Sequence, residues 1–144
     1  MSSTPPLIQT GSVTQTNFQP SPINPDWIIE GNPIARALTL AIAPDQRFSC
    51  AVWECQAGRF KWVFGLDEII HILEGEVIIE EAGSQKIIHS LRPGDTALLP
   101  AGLTAYWTVP KYLKKFAIHR SVKRTFLQRA IGKLARLLGL QKAE

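Results

Sequence analysis

The sequence predicts an all-β domain built from two antiparallel sheets. Short apolar or alternating runs recur between residues 34 and 120. Gly and Pro turn signals separate these runs, a pattern typical of sandwiches and barrels. Ile, Val, Phe and Trp recur in the runs, and these are the residues that pleated sheets prefer. The length of 144 residues and the apolar content of 45% indicate a soluble globular protein with one domain and one core.

Residues 1–25 are predicted to form an extended arm. The segment is rich in Ser, Thr, Gln and Asn and carries prolines at positions 5, 6, 20, 22 and 25, which argues against a helix. It lacks the basic start and the apolar centre of a secretory signal. No apolar run in the chain approaches the ~18 residues that span a bilayer. We therefore expect a cytoplasmic protein.

Residues 26–120 are predicted to form the sheet domain, with roughly nine short strands. Open sheet edges and the extended arm favour a homodimer in which arms or strands pair across subunits. Cys50 and Cys55 are five residues apart in one run and would point to opposite faces, so we expect no disulfide between them. The runs are ALTLAIA (37–43), FSCAVWEC (48–55), RFKWVF (59–64), EIIHILEGEVIIEE (68–81), QKIIHSL (85–91), DTALLP (95–100), AYWTV (105–109) and KKFAIHR (114–120).

Residues 121–144 are predicted to form a basic amphipathic α-helix, because the apolar period changes from two to 3.6 after Ser121. Residues 111–144 carry ten Lys or Arg against one acidic residue, whereas residues 1–110 carry six against eleven. The apolar stripe consists of Leu127, Ile131, Leu134 and Leu138.

Three roles are open for this helix. Its apolar stripe can pack on the sheet domain or on a second subunit, which is the commonest use of such a face. Alternatively, the stripe and its lysines and arginines suit an anionic membrane surface. A nucleic-acid partner is the least favoured role, because no aromatic platform or groove-reading motif accompanies the charge. We expect no nucleic-acid binding.

Two motifs at fixed spacing carry a resemblance to a known family. Glu68 precedes Gly75 by seven positions, and Gly94 is followed by five residues and then Pro100-Ala101-Gly102. These motifs, with the words LEGE (73–76), PGD (93–95) and LPAG (99–102), resemble those of the cupin superfamily. Together with WECQAGRF (53–60) they are similar to the single-domain branch related to the (S)-ureidoglycine aminohydrolase cupin domain. The resemblance covers roughly residues 30–120 and implies a double-stranded β-helix, the cupin or jelly-roll barrel.

The resemblance also implies a metal site, and the ligand positions of that site are changed in this chain. Family members carry two histidines before the conserved Glu, a third His after the last glycine of the second motif, and then an Asn. Of the four usual ligands only Glu68 remains. Because a divalent cation needs about three protein donors, we expect a degenerate site with no metal and no cofactor. The other positions are occupied by Trp62, Phe64, Ala105 and Val109.

Glu68 is the candidate catalytic residue, inside a candidate ligand pocket. If Glu68 points inward, alternation directs Ile70 and Ile72 inward and His71 outward. Desolvation would raise the pKa of Glu68 and suit it to proton transfer or to binding a cation. An equally weighted alternative is that Glu68 is a relic carboxylate, either paired with a neighbouring Lys or Arg or lying near the barrel mouth in water. The pocket candidates are Trp62, Phe64, Trp107, Ala105, Lys115 and Glu54.

Lys115 lies where members of the branch tend to have a basic residue, and it could supply a partner charge. Glu54 could act as a second acid, although a strand Glu is more often solvated. His119, near a strand end, is predicted to be a surface or interface residue. The leading hypothesis is a protein that binds a small polar or cationic molecule in an aromatic pocket without a His-ligated metal. One alternative is an aminohydrolase or isomerase with Glu68 as the acid–base group, and another is a structural adaptor that docks through its basic helix.

Overall fold

The computed structural model describes residues 5–122, which form nine antiparallel β-strands and one short 3-10 helix, Pro25–Trp27. No helix within this range is long and apolar enough to cross a membrane. The predicted helix of residues 121–144 lies outside the described residues, apart from its first two positions. The strands are β1 (Gln19–Pro20), β2 (Ile28–Gly31), β3 (Ala35–Ile42), β4 (Phe48–Val63), β5 (Asp67–Gly75), β6 (Val77–Glu81), β7 (Ile88–Leu91), β8 (Thr96–Leu99) and β9 (Thr104–Arg120).

Two long strands, β4 and β9, pair with each other along almost their whole length and run through both halves of the sheet. The first half has the order β1-β3-β4-β9-β5-β8. In the second half β2 pairs with the end of β4, β6 pairs with the start of β9, and β7 pairs with β6. A register shift between Gln56 and Gly58 separates the two halves, and such bulges bend the strand that carries them.

The two halves face each other across one aromatic core. The ring of Trp53, from the first half, lies 6.2 Å from that of Trp107 and 6.3 Å from that of Trp62, both from the second half. Along β9 the buried residues alternate with partly exposed ones on either side of the exposed pair Pro110 and Lys111. This period-two burial gives each strand one inward face.

Gly75 ends β5 where the backbone of β9 comes close. Its φ of +75° lies in the left-handed region, and a Cβ built on it would lie 1.8 Å from the Tyr112 carbonyl oxygen. Only a residue without a side chain fits there. The glycine therefore divides the predicted run EIIHILEGEVIIEE into two strands, β5 and β6.

The predicted all-β cupin-like fold is confirmed, with almost no helix among the described residues. Two pairs of predicted runs are single strands: FSCAVWEC joins RFKWVF in β4, and AYWTV joins KKFAIHR in β9. Ala57-Gly58, predicted from its turn signal to end a strand, and Pro110-Lys111, which separates the other two runs, both lie inside strands and do not reverse the chain. The division of the chain at residues 25 and 120 stays a prediction. Part of the predicted arm lies along β3, since β1 pairs with β3 and the Gln9 side chain hydrogen-bonds the Ile42 backbone.

Candidate functional site

A buried ion pair between Glu68 of β5 and Lys115 of β9 lies on the inward face of the first sheet half. The Lys115 ammonium donates a hydrogen bond to Glu68 Oε1, and each side chain is only 7% exposed. Ile70, Ile72 and Ala117 lie at even spacing from them along the strands and are also buried. Strand alternation therefore places the two charged side chains on the same inward face. An acid and a base from neighbouring strands are thus enclosed together by the core.

The Lys115 ammonium keeps Glu68 ionised. Burial is the largest single influence and acts to raise the pKa of Glu68, but the charge of Lys115 and the hydrogen bonds of His119 and Lys115 together outweigh it, and the pKa falls to about 2. Without a partner charge, desolvation would have raised the pKa of Glu68. At neutral pH Glu68 is therefore a fixed negative charge, and it holds no proton to give to a substrate.

His119 adds an imidazole to this polar cluster. Its Nε2 lies 3.5 Å from Glu68 Oε1, and His119 is paired in register with Glu68 on the neighbouring strand. His119 was predicted to be a surface or interface residue, and its side chain, 29% exposed, lies at the edge of the site. The signal was available: positions 115 and 119 are four apart in a strand, so an inward Lys115 requires an inward His119.

A cavity of about 260 Å³ adjoins the ion pair. Ser49, Thr39 and His119 add polar groups to its wall, beside Glu68 and Lys115. A second hollow of about 400 Å³ shares Trp62, Phe64 and Glu68 with the first and reaches the exposed residues Gln46 and Arg47. The cavity therefore adjoins the surface at the Glu68 end. Its aromatic wall consists of Trp53, Phe60, Trp62, Phe64 and Trp107.

Aromatic rings surround the ammonium of Lys115. Its Nζ lies 5.0 Å from the ring centroid of Trp53 and 5.4 Å from that of Trp107. Both distances are within the range of cation–π attraction, which strengthens when the cation is desolvated. Lys115 thus occupies the position that a cationic ligand would seek between these two rings.

Four of the six predicted pocket residues line the cavity together with Glu68: Trp62, Phe64, Trp107 and Lys115. Ala105 is fully buried opposite Trp62 in the β4–β9 ladder, but it is not among the lining residues. Trp53, which is not among the predicted pocket residues, is part of the wall. The alternation of β4 on either side of its register shift explains why Trp53 and Trp62 both face inward.

Glu54 lies away from the cavity, on the face of β4 opposite to that of Trp53. It is 6% exposed and accepts hydrogen bonds from Arg36 and from the Tyr112 hydroxyl, the latter at 2.6 Å. Burial and the adjacent carboxylate raise the pKa of Tyr112. A strand Glu is more often solvated, but Glu54 is buried because its cross-strand partners from β3 and β9 cover it.

A comparison with known protein families identifies the family of this chain. Residues 42–117, more than half of the chain, match the EutQ-like cupin domain. The chain belongs to the EutQ-like cupin family. No curated protein sequence matches this cupin.

Solved structures similar to this cupin include two EutQ proteins. The ethanolamine utilization protein Q of Salmonella typhimurium LT2 is 19% identical over 62% of this chain and 72% of its own, with a TM-score of 0.54. The Clostridium difficile EutQ protein is 20% identical over 64% and 71%, with a TM-score of 0.53. A Pseudomonas syringae pv. tomato DC3000 protein of unknown function is 21% identical over 75% and 46%, with a TM-score of 0.66. These likenesses support the fold.

The donors of this cupin do not fit the metal that the cupin resemblance implies. Within residues 5–122 no three His, Cys, Asp or Glu side chains come together as a ligand set. Glu68, the one family ligand present, is bound to the Lys115 ammonium, which would repel a divalent cation. Glu68 and His119 together supply one carboxylate and one imidazole, which is fewer than the three or more protein donors that zinc sites use.

Proposed function

We propose that this cupin binds a small polar molecule in its aromatic cavity without a His-ligated metal. The main support is that the charged pair Glu68–Lys115 borders a cavity walled by five aromatic rings. A volume of about 260 Å³ lies just below the usual range of ligand pockets, so it suits a compact ligand. Apolar walls with a few convergent polar groups are typical of small-molecule sites.

Of the polar and cationic ligands expected from the sequence, the geometry favours the polar ones. The Lys115 ammonium already lies against Trp53 and Trp107 and neutralises Glu68. A cationic ligand would be attracted most strongly to the faces of these two rings, and there the Lys115 ammonium would repel it. The cavity therefore supplies its own cation, and a ligand has to complement that charge.

We also propose that the metal site is degenerate. Trp62 and Phe64 fill part of the cavity, and Ala105 is buried, where the cupin resemblance implies histidines. Side chains that cannot coordinate a metal leave Glu68 as an ion-pair partner. The related resemblance to the (S)-ureidoglycine aminohydrolase domain stays a prediction, as do a homodimer and a cytoplasmic location.

The two alternative functions receive less support. An acid–base role for Glu68 is disfavoured by its pKa of about 2, because a general acid or base works best with a pKa near the working pH. The adaptor hypothesis, including contact with a membrane surface, depends on residues 123–144, which lie outside the described residues. At 19% identity the likeness to the ethanolamine utilization protein supports no transfer of substrate.

Binding is tested with three probes that share one flat body: benzoate, benzamide and benzylammonium. Each is titrated into the full-length protein, and tryptophan fluorescence is followed because Trp53, Trp62 and Trp107 line the cavity. We expect saturable binding of at least one probe, weakened in Trp62→Ala and unchanged in Tyr106→Ala, since Tyr106 lies on the opposite face of β9 from Trp107.

Two results would contradict the proposal. Binding of none of the three probes at millimolar concentration would rule out a cavity receptive to compact polar molecules. Elemental analysis of the purified full-length protein tests the metal claim separately, and we expect far less than one metal ion per chain. About one tightly held Mn, Fe, Ni or Zn per chain would show that other donors complete a metal site.

A further inference from the structure

The outer side of the first sheet half is apolar, although it points away from the aromatic core. Cys50, Ile118 and Ile69 each lie between neighbours that are buried or line the cavity, so strand alternation directs them outward. Ala41 and Leu98 are paired with Cys50 and Ile69 in the strand register. These five residues form one row across β3, β4, β9, β5 and β8, which we call the outer apolar row.

The outer side of the second sheet half is different, because it carries the charged residues Arg59, Lys61 and Glu80. An antiparallel sheet with one solvated face alternates apolar and polar residues. Strands that are buried on both faces carry near-continuous apolar runs instead. The first half therefore has the pattern of a sheet that is covered on both sides.

The burial of Val52 indicates where this cover lies. Val52 is two residues after Cys50 on β4, points outward with it, and is paired with Leu38 and Phe116 on the neighbouring strands. It has no exposed surface, yet it is not part of the inner core formed by the described residues. Neighbours on a sheet flank a side chain and do not lie above it. At β5 and β8 the outer apolar row is exposed, so the cover lies over β4 and its neighbours β3 and β9.

The strands and the arm do not supply this cover. Within residues 5–122 all nine strands belong to the two sheet halves. The arm contacts β3 at the edge of the first half, where Gln9 hydrogen-bonds the Ile42 backbone and the Phe18 ring lies 5.2 Å from the Arg36 guanidinium carbon.

The chain beyond β9 starts beside this face. β9 ends at Arg120, which is paired with Phe48 of β4 and Asp67 of β5. The outer apolar row crosses β9 two residues earlier, at Ile118. Residues 123–144 therefore continue from the edge of the face that needs a cover.

We propose that residues 123–144 pack their apolar stripe on the outer side of the first sheet half, over β4. The stripe from Leu127 to Leu138 is about 16 Å long as a helix, and β3, β4 and β9 together are about 10 Å wide between the outer strands, so the stripe is long enough to cross them. Arg129, Lys133 and Arg136, on the opposite side of such a helix, stay in water. A segment of the same chain is favoured over a second copy, because its association costs no translational freedom.

Limited trypsin digestion of the full-length protein tests this contact from the sheet side. Cys50→Asp places a charge in the contact and should speed cleavage after Arg129, Lys133 and Arg136 about tenfold. Thr108→Asp is the matched control on the outer side of the second half and should leave the cleavage rate unchanged. Tryptophan fluorescence checks that both variants are folded. Equal cleavage rates in the native protein and a folded Cys50→Asp would overturn the proposal.

The reaction of Cys50 with Ellman's reagent tests the contact from the other side. Leu134→Lys should release the segment and speed this reaction about tenfold, whereas Arg136→Gln, on the opposite side, should not change it. An unchanged rate in Leu134→Lys would overturn the proposal. So would a native rate that falls as the protein concentration rises, which would assign the face to a second copy. Flotation of the native protein with phosphatidylserine vesicles would assign the stripe to a membrane and would also overturn it.

Discussion

Lys115 reaches diagonally along the β5–β9 ladder to meet Glu68. In the register of these strands Lys115 is paired with Ile72 and Glu68 with His119, so the lysine side chain extends along the inward face past the intervening pair on that face to reach Glu68. Both side chains are 7% exposed. Two opposite charges have been removed from water together, and the loss of either would leave the other buried without its partner.

The first prediction concerns the stability that depends on this pair. Lys115→Met should lower the free energy of unfolding by about 3–5 kcal/mol, because it leaves the Glu68 carboxylate buried and unpaired. The joint substitution Lys115→Met with Glu68→Gln should come within about 1 kcal/mol of the native protein, because neither charge then remains. Urea denaturation at pH 7 measures all of these values.

Lys114→Met is the matched control for this cycle. Lys114 is the adjacent residue on the opposite face of β9, and its Nζ lies 3.8 Å from Oε1 of the largely exposed Glu74. The Lys114 side chain is only 14% exposed, but that of Glu74 is 61% exposed, and pairs screened by water contribute at most about 1 kcal/mol. Equal losses from Lys114→Met and Lys115→Met would mean that the Glu68 pair is not shielded from water.

The second prediction is a loss of stability in acid. The pKa of Glu68 falls from 4.5 to about 2 on folding. Above pH 4.5 the carboxylate is ionised in both states, and its full contribution, about 3 kcal/mol, is present. As the pH falls below 4.5 the unfolded chain binds the proton first, so the contribution declines until about pH 2. Urea unfolding at several pH values between 5 and 2 follows this decline.

Glu68→Gln isolates the Glu68 contribution to acid sensitivity. Asp67 also has a lowered pKa, owing to hydrogen bonds from the Ala101 backbone and from Arg120, and it remains in the variant. The variant should therefore still lose stability in acid, but with a smaller slope than the native protein. Identical slopes in the two proteins would remove Glu68 as a source of the pH dependence.

The fold was largely predictable because its signals are local. Alternating runs and Gly or Pro breaks indicate strands and turns, and the spacing of Glu68 to Gly75 indicates a cupin. The merging of runs into β4 and β9 was not predictable in the same way. A Gly or Pro is compatible with a chain reversal and with a bend within a strand, and only the pairing of β4 with β9 through the bend decides between them.

The site was predictable in part. The cupin resemblance implied the site positions of Glu68, Trp62, Phe64 and Lys115, and strand alternation predicted that an inward Glu68 has Ile70 and Ile72 on the same face. Glu54 could not be assigned in this way, because its burial depends on Arg36 and Tyr112, which other strands bring to it. The direction of the Glu68 pKa shift was also open, since burial and ion pairing act in opposite directions and only the position of Lys115 decides.

The third prediction concerns the two thiols. Both cysteines are free, with Cys55 buried and Cys50 half-buried, and burial raises the pKa of Cys55 to about 12. Because the thiolate is the reactive form, one thiol should react with Ellman's reagent at pH 8 in the native protein and two in urea. Cys50→Ala should abolish the native reaction, whereas Cys55→Ala should leave it. Equal reaction of both native thiols would contradict this arrangement.

The fourth prediction separates two costs at Gly75. Gly75→Ala brings a methyl group against the Tyr112 carbonyl and forces a side chain onto a φ of +75°, so we expect a loss of about 3–5 kcal/mol from overpacking and backbone strain together. Gly94→Ala is the matched control, because its φ is +96° but nothing lies within 4 Å of the added carbon. It should lose only about 1–2 kcal/mol, from strain alone. Equal losses in urea denaturation would mean that β5 and β9 can separate at Tyr112 without cost, and would contradict the close approach of the two strands at Gly75.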